Sequence, residues 1–435
     1  MTAVIIAGGK GTRLAPYTKD MPKPMLQIKG KPILEHQIAV FKRYGVADII
    51  LTVGYRKEAI KDYFGDGKNF GVHIRYAEEA EPLGSAGALF YVKNMAVESE
   101  PLYLAYGDVL FDVCLPRMME FHKTHGRDAT IAVHPNSHPL DSDLVLRDEN
   151  NIVQGFLSKN GDRTGKFYHN CVNAGLFIVN RSALEDFERP EKKDFEKDFL
   201  KHLISKRQAV AYATSEYIHD MGTPKRLAQV ERDMERGILK ERNLEHPQKC
   251  VFLDRDGTIN VWKGLISSPD YMELEEHSAE GIREINDSGY LAIAVTNQPV
   301  IARGLCTLED LTKIHQKLEM LLGEQGAYLD AVYFCPHHPD KGYEGERKEY
   351  KISCNCRKPG TGMVTQAAKD FNIDLGQSWI VGDSTRDIQT GKNAGMKTIL
   401  LKTGEGGKDG KYPAEPDERC ADLRAAVDCI LHRKE

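Results

Sequence analysis

The stretch Val251 to Asn260, Val-Phe-Leu-Asp-Arg-Asp-Gly-Thr-Ile-Asn, constrains the architecture of this chain more than any other. A short apolar run that stops at two acids two residues apart, followed by Gly and Thr, is the pattern of a buried strand feeding a catalytic loop. It lies in the middle of 435 residues, where a fold built on one core does not begin again, so the chain starts twice. On an extended backbone Asp254 and Asp256 project to the same side. One carboxylate can then attack a phosphorus while the other protonates the leaving oxygen and later activates water. Gly257 lets the backbone turn away, and Thr258 can bond the loop or a phosphate oxygen. Standing alone, the run reads equally well as an Asp-Gly turn after any strand.

Composition narrows the class. Hydrophobic residues make up 41% and charged residues 28%, as in ordinary globular proteins. A net charge of -5 argues against nucleic acid as a principal partner, because no basic excess is available to neutralise a polyphosphate. No apolar run is long enough to cross a bilayer, and the opening Met-Thr-Ala-Val-Ile-Ile-Ala-Gly-Gly carries neither a basic leader nor a cleavage site. A cytoplasmic location is expected, with the nine cysteines reduced.

In the first half, Thr2 to Ala7 reads as a strand and runs into Gly8-Gly9-Lys10-Gly11-Thr12-Arg13. A Gly-rich turn after a first strand exposes backbone N–H groups, and Lys10 and Arg13 add charge suited to a triphosphate. In Pro22-Lys23-Pro24 two prolines stiffen a loop around one lysine. Residues 32 to 44 and 85 to 95 have helical periods, 48 to 53, 72 to 76 and 102 to 105 read as strands, and 224 to 240 as a closing helix. This alternation predicts a mostly parallel sheet with helices on both faces.

These residues, with Lys31-Pro32-Ile33-Leu34, Pro82-Leu83-Gly84-Ser85-Ala86-Gly87, Gly107-Asp108, Asn173-Ala174-Gly175 and Asp220-Met221-Gly222-Thr223-Pro224, resemble the sugar-1-phosphate nucleotidylyltransferases over about residues 1 to 238. The resemblance implies Mg²⁺ between Asp108 and Asp220, and a triphosphate held by Gly8, Gly9, Gly11, Thr12 and Arg13. It also implies Lys23 on the α-phosphate, Gly84 near the nucleotide, and Asn173 and Gly175 on the sugar. Lys159 corresponds to a sugar-phosphate lysine, although Leu-Ser-Lys-Asn replaces the family's Glu-Lys-Pro-like run. Glu81, just before Pro82, can accept the N–H donors of guanine where thymine-selective relatives use an amide, which favours GTP.

Residues 239 to 248 form a polar linker, and 249 to 435 a second domain. After the Asp loop come a helix over 279 to 287 and a strand over 290 to 295 ending in Thr296-Asn297. A helix over 307 to 323 and strands over 331 to 334 and 379 to 381 follow, the last leading into Gly382-Asp383. Cys335-Pro336-His337 and Cys354-Asn355-Cys356 have the spacing of a structural Cys3His zinc site, with His338 as a competing ligand.

Asp254, Asp256, Thr296, Asn297, Lys358 and Asp383 stand in the order of the four motifs of haloacid dehalogenase-type phosphatases. With Ile301-Ala302-Arg303-Gly304, Cys-Pro-His-His-Pro and Cys-x-Cys-Arg357-Lys358-Pro359, the half closely resembles the D-glycero-D-manno-heptose 1,7-bisphosphate phosphatases. The resemblance implies Asp254 as nucleophile, Asp256 as general acid and base, and Lys358 as the phosphate-stabilising cation. Thr296 and Asn297 would bond the phosphoryl group. Mg²⁺ would sit on Asp254, Asp256 through its carbonyl, and Asp383, with Asp387 in support, while Arg303 and Arg357 grip a distal phosphate. Gln298-Pro299-Val300 departs from the family's Gln-Ser-Gly.

The expected fold is therefore α/β, with two doubly wound, mostly parallel sheet domains, the first Rossmann-like and the second haloacid dehalogenase-like with a zinc loop. The two resemblances fit consecutive steps of activated-heptose synthesis for lipopolysaccharide or capsule. Heptose 1,7-bisphosphate loses its 7-phosphate, and heptose 1-phosphate then takes GMP from GTP. The expected partners are thus small molecules, a nucleoside triphosphate and sugar phosphates, with self-association left open. Two alternatives stand: the same chemistry on another sugar or polyol phosphate with a different nucleotide, and a nucleotide-sugar-binding regulator without turnover.

Overall fold

The computed structural model describes residues 1–9, 21–79, 81–97 and 100–432. The expected triphosphate residues Lys10, Gly11, Thr12 and Arg13 lie outside the described residues. The chain divides into two compact units, one of Met1–Val133, Val145–Phe156 and Asn173–Asn243, the other of His134–Leu144, Leu157–Val172 and Leu244–Glu435. The division near residue 243 falls inside the stretch read as a linker. Segments 134–144 and 157–172, read from the sequence as part of the first domain, group with the second unit, where Asn170 N–H donates to Glu319 at 2.7 Å and His169 meets the same carboxylate at 2.9 Å.

In the first unit the strands β1 (Thr2–Ile6), β2 (Asp48–Val53), β3 (His73–Glu78) and β4 (Pro101–Tyr106) run parallel in the order β4-β1-β2-β3. Their near-continuous apolar composition follows from burial on both faces, and Ala3, Val4, Ile5, Ile49, Ile50 and Leu51 are fully buried. β5 (Val109–Asp112) and β6 (Val172–Asn180) come next; β6 adds antiparallel to β4 and extends the sheet toward Leu144–Arg147 and Val153–Leu157. β7 (Tyr217–Asp220) pairs antiparallel with β5 in a separate ribbon, so Asp220 closes a strand rather than merely preceding a helix.

Helix α1 (Ile33–Arg43) puts Phe41 into the core, 5.5 Å from Phe111 and 6.0 Å from Tyr103 between ring centres. Helix α2 (Pro224–Glu235) begins with the Thr223 hydroxyl accepting the Arg226 N–H. It ends earlier than its periodicity suggests, because Gly237 at φ 79° breaks it before a short turn over Ile238–Glu241.

The second unit has one parallel sheet of β8 (Cys250–Leu253), β9 (Leu291–Asn297), β10 (Ala331–Cys335), β11 (Trp379–Gly382), β12 (Lys397–Leu401) and β13 (Glu418–Cys420). The order is β10-β9-β8-β11-β12-β13, so strand direction of travel reverses at β8, and the crevice at its carboxyl end is the place where open α/β sheets bind ligands. Around it pack α3 (Ser278–Asn286), α4 (Leu308–Glu324), α5 (Gly362–Phe371), α6 (Thr385–Ala394) and α7 (Leu423–His432). α4 opens with a capping box in which Thr307 and Asp310 exchange side-chain and backbone bonds. Among the described residues no helix is long and apolar enough to cross a membrane.

α6 comes so close to the sheet that a Cβ on Gly391 would overlap Ile380 and Thr398. Gly391→Ala is expected to destabilise this unit by about 1–3 kcal/mol through overpacking. Both tryptophans, Trp262 and Trp379, belong to it, and Trp379 is buried, so the loss is read as an earlier red shift of tryptophan emission in urea.

Two candidate phosphate-handling sites

In the first unit a cleft of about 850 Å³ opens where β1 to β4 end, and each strand delivers one or more lining groups: Gly8 and Gly9 after β1, Gly54 after β2, Glu79 after β3, and Tyr106 and Asp108 at the end of β4. Gln37 on α1, fully buried, spans the turn bearing Asp108 by donating to the carbonyls of Tyr106 and Val109 at 2.8 and 2.5 Å. Lys23 is buried beside it and forms an ion pair with Asp108. Asp220 is brought next to Asp108: it pairs with Val109 across the β5–β7 ribbon, and Met221 N–H donates to the Asp108 carbonyl at 3.0 Å. Burial would raise Asp220, but Arg226 and the Gly222 N–H hold its carboxyl below the usual range, so it stays ionised. Two neighbouring carboxylates, one of them lining the cleft, are the kind of hard-oxygen donors Mg²⁺ takes together with phosphates.

Glu81 and Gly84 line the cleft as well. So does Glu79, which the motif reading passed over: burial raises its pKa, and among the described residues its carboxylate accepts a long hydrogen bond from Leu83 N–H at 3.4 Å. The Asn173 side chain donates to Glu196, a cleft residue, at 2.8 Å, and its Oδ1 accepts Gly175 N–H at 3.0 Å. Lys159 is not among the lining residues. It belongs to a segment grouped with the second unit, where Asp141 engages its ammonium at 3.3 Å. No sequence signal short of the Leu-Ser-Lys-Asn departure foretold this.

In the second unit the carboxyl ends of β8 and β11 put Asp254 and Asp383 side by side, joined by Asp387 from the first turn of α6. Asp254 N–H donates to the Val381 carbonyl at 2.9 Å, which fixes the loop after β8 on the neighbouring strand. Lys358 is buried among these acids, 2.8 Å from Asp254 and 2.6 Å from Asp387. Asn297 holds that lysine by its backbone, donating to the Lys358 carbonyl at 3.1 Å and accepting its N–H at 3.0 Å, so the amide positions the cation. Backbone crowding completes the wall: a Cβ on Gly257 or Gly404, at φ 81° and 53°, would overlap the Asp383 carboxylate, which accepts Glu405 N–H at 2.6 Å.

The charges do not balance. Burial and neighbouring carboxylates push Asp254 up to about 6 and Asp383 up to about 8, whereas Lys358 holds Asp387 down. A divalent cation on Asp254, Asp383 and Asp387 fits this donor set, since it would let all three ionise at once. The Asp256 carboxylate is outside the trio. The buried Arg255 forks it at 2.8 and 2.9 Å, and Asn260 and Gln298 donate to it at 3.0 and 2.9 Å, which leaves only its carbonyl for a metal. Thr296 accepts from the same Gln298 at 2.8 Å. Arg303 stacks on Tyr343 at 4.3 Å, Arg357 donates to the His337 carbonyl at 3.0 Å, and Val300 is buried in the core.

Cys335, His337, Cys354 and Cys356 bring their ligand atoms within 4.8 Å of one another, with sulfur separations of 3.1 to 3.5 Å. Burial and the two neighbouring thiols push the Cys335 thiol up, the behaviour of thiols crowded without a cation. Three thiols and one imidazole gathered this closely are the donor set of a Cys3His zinc site. His338 turns away, accepting Asp340 N–H at 3.2 Å.

A family model described as nucleotidyl transferase matches residues 2–237, and one described as HAD-hydrolase-like matches residues 355–426. Over 225 residues the chain is 35% identical to the mannose-1-phosphate guanylyltransferase catalytic subunit beta of Drosophila melanogaster, covering 51% of this chain and 60% of that protein. Over 160 residues it is 41% identical to the D-glycero-beta-D-manno-heptose-1,7-bisphosphate 7-phosphatase of Haemophilus ducreyi, covering 36% of this chain and 85% of that one. A solved structure of HddC from Yersinia pseudotuberculosis complexed with GMP-PN is similar at 25% identity over 54% of this chain and 99% of that one, with a TM-score of 0.46. The chain belongs to the nucleotidyl transferase family through its first half and to the haloacid dehalogenase-type heptose bisphosphate phosphatases through its second. Both halves are enzymatic domains, and the chain spans about 60% of the length of the guanylyltransferase relatives.

Cys354→Ser is expected to lower zinc bound by the full chain, measured by elemental mass spectrometry after gel filtration, and to speed proteolysis between residues 336 and 356. Each outer-sphere or ligand loss in such sites costs on the order of 10- to 100-fold in metal affinity. A variant retaining full zinc would remove the site.

Proposed function

We propose that the second unit removes the 7-phosphate of D-glycero-D-manno-heptose 1,7-bisphosphate and that the first transfers GMP from GTP to the resulting heptose 1-phosphate, giving GDP-heptose and pyrophosphate. The observation that carries this reading is the meeting of Lys358 with Asp254 and Asp387 in a unit 41% identical to a heptose bisphosphate 7-phosphatase. A phosphatase that spares the anomeric phosphate makes the sugar 1-phosphate that a nucleotidyl transferase consumes. The three reduced thiols near His337 suit the cytoplasm.

In the second unit the Asp254 carboxylate attacks phosphorus and the ester oxygen leaves, with Asp256 giving that oxygen its proton. Water then attacks the aspartyl phosphate and gives its proton to Asp256, which restores Asp254 and frees inorganic phosphate. Lys358 neutralises the phosphoryl oxygens, and Arg255, Asn260 and Gln298 hold the Asp256 carboxylate in place. Mg²⁺ on the acid trio would supply the charge cancellation that lets two anions meet. In the first unit the sugar phosphate oxygen attacks the α-phosphorus in line and pyrophosphate leaves. Lys23 offsets the charge there, and Asp108 and Asp220 would hold Mg²⁺.

Asp254→Asn is expected to abolish phosphate release from the bisphosphate while GDP-heptose formation from heptose 1-phosphate and GTP stays within about twofold. Asp108→Asn is expected to do the reverse. Mass spectrometry of products from the wild type supplied with heptose 1,7-bisphosphate, GTP and Mg²⁺ tests the whole sequence. Robust turnover of another sugar phosphate with none of this one would replace it by the alternative substrate.

Guanine presents N–H donors that a carboxylate accepts and an amide accepts less well. Glu81 is one candidate and Glu79, less exposed and short of partners, is the stronger. Glu79→Gln is expected to lower the kcat/KM ratio of GTP over UTP by about tenfold or more, about 1.4 kcal/mol, and Glu81→Gln by less. Unchanged ratios in both would defeat GTP selection by these acids.

A further inference from the structure

Between the Gly8 turn and Glu79, the wall of the first unit's cleft carries an aromatic side chain that no motif marked. Tyr55 follows Gly54 after the end of β2 and lines the cleft together with Glu79. The backbone holds the two in register. Val53 pairs with Glu78, Glu79 N–H donates to the Val53 carbonyl at 3.0 Å, and Tyr55 N–H donates to the Gly8 carbonyl at 3.3 Å. A Cβ on Gly54 would come within 3.1 Å of the Glu79 carboxylate, so the acid lies against the residue just before Tyr55. The chain beyond is anchored as well. Arg56 takes the left-handed conformation, φ 49°, uncommon outside glycine, and leads into a helix over Lys57–Phe64 whose Lys57 and Lys61 each reach Glu78 at 2.8 Å. Arg56 Nε donates to the Tyr55 hydroxyl at 3.1 Å, and its guanidinium carbon stands 5.7 Å from the ring centre, so the phenol is held at its polar end.

We infer that the Tyr55 ring is the platform on which the nucleobase stacks, beside the carboxylates that read the base's edge. The inference rests on the proposed transfer from a nucleoside triphosphate. Two aromatic residues stand among the described residues lining the cleft, and Tyr106 is already engaged: its hydroxyl donates to Glu196 at 3.2 Å, and its ring packs edge-on against Phe177 and Phe195 at 5.4 and 6.1 Å. Tyr55 is half-buried and makes no ring pair among the described residues. A triphosphate gains nothing from an aromatic face, whereas a base presents a π-face of its own, and stacking of a base on an aromatic side chain is worth on the order of tenfold in affinity. Position points the same way, because Tyr55 adjoins the Gly8 turn and Glu79, while Asn173, expected at the sugar, bonds Glu196. Stacking is indifferent to a base's edge and strongest for fused rings, so Tyr55 favours purines as a class and the acids choose among them.

The test uses the full chain with Mg²⁺ and heptose 1-phosphate, with inorganic tripolyphosphate as a competitor that carries the phosphates without a base. Tyr55→Leu, which keeps bulk and removes the π-face, is expected to raise KM for GTP and for ITP alike by about tenfold. It is expected to leave KM for heptose 1-phosphate and the inhibition constant of tripolyphosphate within about twofold, and to lower kcat/KM for UTP less than for GTP. Tyr55→Phe, which keeps the ring, is expected to stay within about threefold of the wild type for GTP. Equal losses for GTP and tripolyphosphate overturn the inference and leave Tyr55 as a prop for the Gly8 turn; an unchanged KM for GTP in Tyr55→Leu overturns it too. A wild type that prefers a pyrimidine triphosphate, and whose Tyr55→Leu variant loses that nucleotide but not tripolyphosphate, overturns guanine selection and upholds the platform. A wild type that uses no nucleoside triphosphate with any sugar 1-phosphate overturns the proposed transfer, and this inference with it.

Discussion

Three carboxylates crowded around one ammonium set the terms for the whole second unit. Asp254, Asp383 and Asp387 lie within a ligand's reach of each other, and the Lys358 ammonium reaches Asp254 and Asp387. Like charges at that spacing repel, and burial strengthens the repulsion by removing water. The sheet answers by delivering each acid from a rigid source: two from strand ends, and one from the first turn of α6, where Ser384 donates to Asp387 at 2.7 Å. Gly257 and Gly404 let backbone close on Asp383 where a side chain would not fit. Without that rigidity the acids would swing apart into solvent, and the nucleophile would lose its cation.

The first unit solves the opposite problem. Each of its two acids is partnered by a cation, Asp108 by Lys23 and Asp220 by Arg226. The depressed carboxyl of Asp220 contrasts with the raised ones of Asp254 and Asp383, and the contrast follows from counting neighbours of each sign.

Much of this was legible because parallel α/β sheets put chemistry at the carboxyl ends of strands, where an apolar run followed by Gly, Asp or Thr is visible in one dimension. Asp108, Asp254, Thr296 and Asp383 were readable for that reason, and the thiol cluster through its spacing. What escaped notice depends on contacts between distant segments. Glu196 was not marked, because Tyr106 and Asn173 lie far away in sequence and converge on it only in space. Glu79 was hidden by the more obvious acid two residues later. Asn297 looked like a phosphate ligand because side-chain type is visible and its partner is not; in space it grips the backbone of Lys358. Lys159 was assigned by order along the chain, and its segment groups with the second unit.

The difference in charge between the two centres also explains why one chain needs two of them. Breaking a phosphate ester by way of a carboxylate, as proposed for the second unit, brings an anion against an anion, and there Asp254 lies buried beside Lys358 while Arg255 forks the Asp256 carboxylate. To join a sugar phosphate to a nucleotide, the nucleophile arrives with the substrate, and a carboxylate poised to attack would compete with it. On the proposed reaction, acids in that cleft hold rather than attack, and Asp108 and Asp220 each rest beside a cation, Lys23 and Arg226. Merging the sites would require the same carboxylates to be both free to attack and committed to binding, which a single arrangement of charges does not allow.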